Sequence, residues 1–343
     1  MELQTIVLNE KRNVTLTMLL QPSDKEFSAN TERPAVVILP GGGYKMCSDR
    51  EAEPVAFEFL KAGFQAFVLR YSVGAGVKWP EPLEDYEQAV SLIKENAEKW
   101  HISKERIAVI GFSAGGHLAA CTATIAKNKP NAAILAYPAI IEDTLNICIP
   151  NLPRPAENVD GKTCPCFVFG ACDDNVAPIE NVMAFQNALI EKKIRFESHV
   201  YPSGKHGFSI AEDWIAAEDH TSRLKNWITD CISWLGELWG EYKITGFTSP
   251  LYSKTVNDDF SERYTVNCSL SCVMNACEGL KEEVGDVFVI IDGLWKSFGF
   301  SQKTVDYLSK LFTVKDLLTL KGFTKEQIEE VNKKINKYKN DKI

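Results

Sequence analysis

A serine at position 113 stands in a sequence that could turn its hydroxyl into a nucleophile. Residues 111–116 read Gly-Phe-Ser-Ala-Gly-Gly, directly after the apolar run 106–110 and directly before His-Leu-Ala-Ala. This pattern predicts a sharp turn from a buried strand into a helix, with the small neighbours that such a turn requires. Because a serine held there lies beside the amides of a helix N-terminus, we predict that Ser113 is a nucleophile rather than a helix cap.

A nucleophilic serine needs a general base, and the chain has five histidines. Where a nucleophilic serine lies on such a strand-to-helix turn, the expected chain order is serine, then acid, then histidine. The histidines after Ser113 that fit this order are His199, His206 and His220. His199 lies within an alternating strand, and His220 lies in the polar start of a helix. His206 lies in a loop that follows a strand, where an imidazole can reach the end of another strand. We therefore predict His206 as the base.

The acid that orients the histidine should lie in a loop after a strand, between the serine and the base. Residues 164–178 supply Asp173 and Asp174 in that setting. Spacing alone does not separate the two, because one can pair with His206 while the other caps the helix that begins near Pro178.

The developing oxyanion needs backbone N–H donors, and glycine lets a backbone approach the substrate closely. Gly41–Gly43 follow the predicted strand Pro34–Leu39, and we expect them to act together with the amide of Ala114. A phosphate-binding loop would instead need Gly-Lys-Ser/Thr directly before a helix, and this sequence lacks it.

Four segments together resemble a known family. They are Pro-Gly-Gly-Gly-Tyr at 40–44, Ser-Asp-Arg-Glu-Ala-Glu-Pro-Val-Ala at 48–56, Val-Leu-Arg-Tyr-Ser-Val at 68–73 and Gly-Phe-Ser-Ala-Gly-Gly-His-Leu-Ala at 111–119. In this order they resemble the bacterial acetyl-esterase and acetylxylan-esterase-like branch of the α/β-hydrolases, over roughly residues 1–240. The resemblance implies an α/β-hydrolase fold.

The resemblance also implies roles for single residues. It implies Ser113 as the nucleophile and His206 as the base. The acid loop of the family runs aromatic-x-x-x-Asp-Asp-x-x-x-Pro, and laid on Phe169–Pro178 it gives Asp174 as the acid, with Asp173 as the runner-up. The implied oxyanion donors are the N–H groups of Gly42, Gly43 and Ala114. This chemistry calls for no cofactor and no metal.

Alternating strands and helices would position these residues. We predict strands at Leu3–Leu8, Val14–Leu20, Pro34–Leu39, Phe64–Tyr71, Ile107–Ile110, Ala132–Tyr137, Cys166–Phe169 and Phe196–Tyr201. We predict helices at Glu51–Ala62, Pro82–Trp100, 114–126, Ile179–Glu191 and Ser222–Leu238. The alternation predicts the α/β class, with a mostly parallel sheet covered by helices on both faces.

The character of the sequence changes near Gly246. Residues 245–259 are rich in Thr, Ser, Gly, Pro and Asn, which is typical of a linker, and residues 260–343 show helical patterns with little strand signal. We predict a catalytic domain over 1–244, a linker over 245–259 and a small, mainly helical accessory domain over 260–343.

The tail contains a faint helix-hairpin-helix pattern at residues 312–331, a motif that can hold a DNA phosphate. Basic and acidic residues balance after residue 245, so the tail lacks the positive charge that binds nucleic acid. We therefore favour an accessory or dimerisation module, which makes a homo-oligomer through this domain a hypothesis.

Composition and charge limit the partners and the cellular compartment that we expect for this protein. The net charge of −8 and the pI of about 5.4 argue against nucleic acid and anionic membranes as partners. No stretch reaches the length of a membrane span, and the N-terminus shows no basic segment followed by an apolar one. The cysteines form no C-x-x-C pair, so we expect free thiols and a cytoplasmic protein.

The leading hypothesis is a serine carboxylesterase that removes acetyl or another short acyl group from a small-molecule or carbohydrate ester. A serine peptidase of the same fold normally carries a large domain before the catalytic one, and the N-terminal region is too short for it. A catalytically silent binding protein conflicts with the intact Ser, Asp and His set. The segment 138–163 is short and carries four prolines, so the natural ester stays open.

Overall fold

The computed structural model describes residues 1–22, 32–215, 223–243 and 245–340. They form two compact units, Met1–Lys254 and Thr255–Ile343. Among the described residues, no helix combines the length and the apolar character that crossing a bilayer requires.

The first unit is built on an eight-stranded sheet with the strand order β1-β2-β4-β3-β5-β6-β7-β8. The strands are β1 (Glu2–Asn9), β2 (Val14–Leu20), β3 (Arg33–Leu39), β4 (Gln65–Arg70), β5 (Ile102–Phe112), β6 (Ala132–Ala136), β7 (Cys166–Ala171) and β8 (Phe196–Tyr201). Strand β2 runs antiparallel to both of its neighbours, and the remaining pairs are parallel. The predicted mostly parallel sheet is confirmed.

Helices connect the parallel strands and cover the sheet. They are α1 (Glu53–Lys61), α2 (Glu81–Glu95), α3 (Ala114–Thr124), α4 (Glu142–Leu145), α5 (Glu180–Glu191) and α6 (Asn226–Trp239). Helix α2 ends before the predicted residue 100, because Asn96 closes it with its side-chain amide on the carbonyl of Leu92 at 2.9 Å. Strand β5 then begins at Ile102, earlier than predicted.

The packing of the core explains why a central strand such as β3 consists mainly of consecutive apolar residues. All seven residues of β3 are buried. Val36 and Ile38 pack in a cluster with residues of α1 and α6, whereas Ala35, Val37 and Leu39 pack in a second cluster with residues of α2 and α3. Successive side chains of a strand point to opposite faces, so helices on both faces bury the whole strand.

Residues after the last long helix still belong to the first unit. The guanidinium of Arg106 lies 3.8 Å from the ring centroid of Phe247, and that of Arg195 lies 4.5 Å from the ring of Tyr252. The two short strands β9 (Tyr242–Lys243) and β10 (Gly246–Phe247) pair here as well. Residues 245–254 of the expected linker 245–259 therefore belong to this unit. That the two domains have separate roles stays a prediction.

The second unit is helical, as predicted. Its helices are α7 (Leu270–Met274), α8 (Glu278–Glu283), α9 (Gly285–Phe298), α10 (Gln302–Leu311), α11 (Val314–Leu320) and α12 (Lys325–Ile335). It has a core of its own, in which Tyr264, Val273, Leu280 and Leu317 are fully buried. The hairpin pattern of the sequence corresponds to α11 and α12, joined by a turn at Gly322 with a φ of 85°.

Candidate active site

Ser113 occupies a strained turn between β5 and α3. Its φ is 53° and its ψ is −116°, a region that residues with a side chain rarely adopt. The two glycines of the motif are required by space: a Cβ on Gly111 would lie 1.9 Å from the carbonyl oxygen of Gly115, and one on Gly115 would lie 2.1 Å from that of Leu39. The strand-turn-helix prediction for residues 111–116 is what the structure contains.

The serine, the predicted base and one of the two predicted acids form a continuous chain of hydrogen bonds. His206 Nε2 lies 2.8 Å from Ser113 Oγ, and His206 Nδ1 lies 2.7 Å from Asp174 Oδ2. The Asp174 side chain is fully buried, while the His206 side chain is 18% exposed. An N–H on Nδ1 that donates to the carboxylate leaves Nε2 free to accept the proton of the serine hydroxyl.

The two neighbouring aspartates point in different directions. Asp174 Oδ1 accepts the amides of Val176 and Ala177, both at 2.9 Å, and these bonds aim its other oxygen at the histidine. Asp173 instead accepts the Ser203 hydroxyl and the Gly204 amide, both at 2.7 Å. Those two donors lower the pKa of the exposed Asp173 carboxyl, with the Gly204 amide as the larger cause. The structure therefore brings Asp174, and not Asp173, to the base.

The glycine loop that follows β3 lies next to the serine. Gly42 has a φ of 127°, and a Cβ there would lie 2.2 Å from the carbonyl oxygen of Met46, so only glycine fits. Gly42 and Gly43 line the same cavity as Ser113 and His206. Among the described residues, neither glycine N–H donates to a backbone carbonyl.

Ala114 directly follows the serine. It is the first residue of α3 and is fully buried. The first amides of a helix have no acceptor within that helix, and the helix dipole makes this end favourable for negative charge. That Gly42, Gly43 and Ala114 donate to an oxyanion stays a prediction.

A cavity of about 280 Å³ opens onto these groups. Apart from the serine, the histidine and the glycines, its walls are formed by Met46, Ser48, Arg50, Glu51, Ala139, Thr144, Ile147, Cys148, Val176, Ala177 and Gly207. Most of these side chains are small or apolar, and Arg50 and Glu51 are the charged ones among them.

The other histidines weighed from the sequence have different surroundings. His199 stacks on Phe167 with 5.1 Å between ring centroids, and its Nε2 lies 2.8 Å from Glu197. His220 lies outside the described residues. His199 therefore does not enter the site.

His117 is buried beneath the site, as a packed side chain. Its Nδ1 accepts the hydroxyl of Tyr44 at 2.7 Å, and its Nε2 donates to the carbonyl of Pro153 at 2.9 Å. Burial lowers the pKa of His117 to about 4, because the charged imidazolium would lose its hydration there. Tyr44 ends the glycine loop, so His117 ties that loop to the segment 138–163.

One cluster of metal-ligating residue types occurs within the described part of the chain, in the second unit. A carboxylate oxygen of Asp259 and the sulfurs of Cys268 and Cys272 lie within 4.8 Å of one another. Hydrogen bonds of the loop account for their placement: Asp259 accepts the amide of Ser269 at 2.6 Å, and Cys268 donates to the carbonyl of Asp258 at 3.3 Å. Three ligands are also one fewer than a structural zinc site needs.

The sheet order and the serine turn define an α/β-hydrolase fold. Residues 24–146 match the sequence model of the BD-FAE family. The structure of MGS-M1, an α/β-hydrolase enzyme from a Medee basin deep-sea metagenome library, is 39% identical with a TM-score of 0.64; the match covers 68% of this chain and 96% of that one. This chain belongs to the α/β-hydrolase superfamily and to its esterase branch.

Two curated relatives match about half of the chain. The endo-1,4-beta-xylanase B of Butyrivibrio fibrisolvens is 35% identical over an alignment of 214 residues, and the match covers 54% of this chain and 34% of that protein. The acetylxylan esterase of Xylanibacter ruminicola is 30% identical over an alignment of 218 residues, and the match covers 57% of this chain and 45% of that protein. The chain spans less than half the length of both relatives.

Proposed function

We propose that this protein is a serine carboxylesterase that hydrolyses short-chain acyl esters, with acetyl esters of carbohydrate as the favoured class. The observation that carries the proposal is the hydrogen-bonded chain from Asp174 through His206 to Ser113, which ends in a small cavity. Acyl transfer needs a nucleophile, a base and a group that holds the base, and these three side chains have the required spacing.

The reaction follows from the positions of these groups. Ser113 Oγ attacks the ester carbonyl carbon while His206 Nε2 takes the hydroxyl proton, and Asp174 stabilises the imidazolium that forms. The amides of Gly42, Gly43 and Ala114 donate to the oxyanion. The C–O bond of the ester then breaks, and His206 gives its proton to the departing alcohol. Water repeats the sequence on the acyl-enzyme and releases the carboxylic acid.

Two observations support a short acyl group and a carbohydrate alcohol. The cavity beside Ser113 is small, about 280 Å³, and side chains such as Ala139 and Val176 line it, which favours a short acyl group. One relative is an acetylxylan esterase and another is a xylanase. An acetylated xylan fragment is therefore the first carbohydrate ester to test.

The second unit has no part in this mechanism, and we propose that it is an accessory domain. The groups assigned above to the reaction all lie within Met1–Lys254. An assembly role for residues 255–343 predicts a multimer by light scattering of the full chain.

The function is tested with p-nitrophenyl acetate, butyrate and octanoate and with acetylated xylo-oligosaccharides. We expect acetate to be the best of the three p-nitrophenyl esters and acetic acid to be released from the sugar. Ser113→Ala should abolish turnover and fluorophosphonate labelling, a loss of about 10⁴-fold or more in kcat. Hydrolysis that survives this substitution would contradict the mechanism, and activity on peptides alone would contradict the esterase proposal.

A further inference from the structure

A buried carboxylate lies directly behind the glycine loop, and the mechanism above does not use it. Glu51 is 3% exposed and ends the short 3₁₀ turn Asp49–Glu51. Its Oε2 accepts the N–H of Gly41 at 2.8 Å, and its Oε1 accepts the hydroxyl of Tyr137 at 2.7 Å. Both carboxylate oxygens are therefore engaged by donors from different parts of the chain.

Tyr137 extends this contact to the histidine loop. Its hydroxyl oxygen also accepts the amide of Ser209 at 3.0 Å, so its own proton is directed to Glu51. Its ring packs edge-on against the imidazole of His206, with 5.1 Å between centroids. Through Tyr137, one carboxylate thus connects the glycine loop with the loop that carries the base.

The glycine loop is held tightly between this carboxylate and the nucleophile. A Cβ on Gly41 would lie 2.6 Å from Glu51 Oε2 and 3.1 Å from Ser113 Cβ. The bond to Glu51 fixes the peptide plane of Gly41, and the next two peptides carry the N–H groups of Gly42 and Gly43. A small rotation at Gly41 would therefore move both oxyanion donors.

An ionised carboxyl in this buried place is costly unless hydrogen-bond donors compensate for its lost hydration. Burial disfavours the ionised carboxyl and raises the pKa of Glu51, whereas the Tyr137 hydroxyl and the Gly41 amide act against that rise. Only a carboxylate presents acceptors on both sides, because a glutamine offers one acceptor oxygen and one NH₂ donor. An apolar residue would leave both donors buried without a partner.

We propose that Glu51 is a positioning residue that, through Tyr137, sets the placement of the oxyanion donors relative to His206. The inference rests on the proposed esterase function, because it assigns Glu51 a part in that reaction. Glu51 acts through the loop backbone and not on the substrate.

The test uses two substitutions, each with a matched control on the full chain. Glu51→Gln keeps the shape and removes one acceptor, and Tyr137→Phe removes the shared hydroxyl. Glu53→Gln is the control for the first, since Glu53 pairs with Arg70 at 2.8 Å outside the cavity. Tyr86→Phe is the control for the second, since the Tyr86 hydroxyl donates to Asn128 at 2.9 Å, away from the site.

With p-nitrophenyl acetate we expect kcat to fall about 10- to 100-fold in both variants, part of what losing a whole oxyanion donor costs. KM should stay within about threefold, because glutamine keeps the shape of the wall at position 51, Tyr137 does not line the cavity, and the defect appears only in the transition state. The Kd of a boronic acid, which forms a tetrahedral adduct with Ser113, should rise by the same factor. The double variant should be little worse than either single one, since the two residues act as one unit.

Three results would overturn the inference. One is a kcat within about threefold of wild type in both folded variants. Another is a rise of KM with kcat unchanged, which would make Glu51 part of substrate binding. The third is a loss in the controls equal to that in the variants. If Glu51→Gln does not fold, Tyr137→Phe decides by the same criteria.

Failure of the proposed function gives a different pattern. If the wild-type chain hydrolyses no ester, the proposed function is wrong. The role of Glu51 can then still be tested, because the rate of fluorophosphonate labelling of Ser113 can be measured in both Glu51→Gln and wild type. That rate depends on the oxyanion donors and the base. An unchanged labelling rate then contradicts the role of Glu51 independently of any substrate.

Discussion

The active-site edge of the first unit, where the loops that carry Ser113, Asp174 and His206 meet, differs from the helical second unit in how its backbone turns are stabilised. Around the site, four residues with side chains have a positive φ: Tyr44, Ser113, Tyr137 and Ser209, at 59°, 53°, 35° and 49°. Each takes part in, or lies next to, the hydrogen bonds of the site. Backbone strain of this kind persists only where surrounding contacts hold it in place.

The second unit shows the opposite pattern over its described residues. Its positive φ angles there occur at Gly299 and Gly322, both at helix ends. Helices α11 and α12 begin with complete capping boxes at Thr313 and Thr324. These are local devices that neighbouring residues supply. Substitutions at the active-site edge should therefore change the reaction rate, whereas substitutions in the second unit should change stability alone.

The largest expected effect separates the two aspartates of the active-site edge. Asp174→Asn should lower kcat about 10⁴-fold, because an amide in that place favours the wrong imidazole tautomer. Asp173→Asn, the matched control, should keep kcat within about threefold, as expected of an exposed side chain. Steady-state kinetics with p-nitrophenyl acetate measures both. Equal losses, or a larger loss at Asp173, would reverse the assignment of the acid.

A smaller effect is expected from pH, through His117. Its pKa is about 4 in the folded chain against 6.5 for the free group, so below pH 6.5 the unfolded chain takes up a proton that the folded chain does not. Stability is therefore lost as pH falls towards 4, by about 2 kcal/mol between pH 7 and pH 5.

Urea unfolding at the two pH values, followed by tryptophan fluorescence, checks this. Six of the seven tryptophans precede residue 254, so the signal reports mainly on the first unit. A His117→Phe variant should be less stable than wild type at pH 7 and should show a smaller change between the two pH values. An equal pH dependence in wild type and variant would show that other groups are responsible.

The smallest effect is expected in the second unit. Thr324→Ala removes the cap of α12, in which Thr324 Oγ1 accepts the amide of Gln327 at 3.3 Å, and should cost about 1 kcal/mol. Hydrogen exchange over residues 255–340 should show faster opening, while kcat on p-nitrophenyl acetate stays unchanged. Thr319→Ala, inside α11, is the control. A fall in kcat would mean that the second unit takes part in catalysis.

Much of the first unit was accessible from patterns in the sequence. The eight strands were predicted from short apolar runs, such as Val36–Ile38, and from alternating segments, such as Val14–Leu20. The error at the end of α2 arose because apolar periodicity continues to Trp100, whereas Asn96 stops the helix by bonding to Leu92. The packing of 246–254 on the first unit was missed as well, since its composition is that of a loop.

Some residues of the site were likewise predicted from the sequence, and others were not. Ser113 was found because small residues flank it in the order typical of a strand-to-helix turn. The space at Gly111 is limited by the nearby Gly115, whereas the space at Gly115 is limited by the carbonyl of Leu39 at the end of β3. Spacing did not separate Asp173 from Asp174, because adjacent loop residues have similar surroundings in a sequence. Glu51 was missed for a related cause: an acid before a helix is common, since it favours the helix dipole. Its burial depends on Tyr137, far away in the chain.

By itself, then, the sequence determined the order of strands and helices, the turn at Ser113, the glycine loop and the short set of acids and bases. These features depend on periodicity and on steric fit between neighbours. Only the tertiary structure decided which side chains meet. Ser113, Asp174 and His206 follow three different strands, and parallel packing brings the ends of those strands to one edge. The direction of each carboxylate was decided there, by the amides and hydroxyls that other loops bring to it.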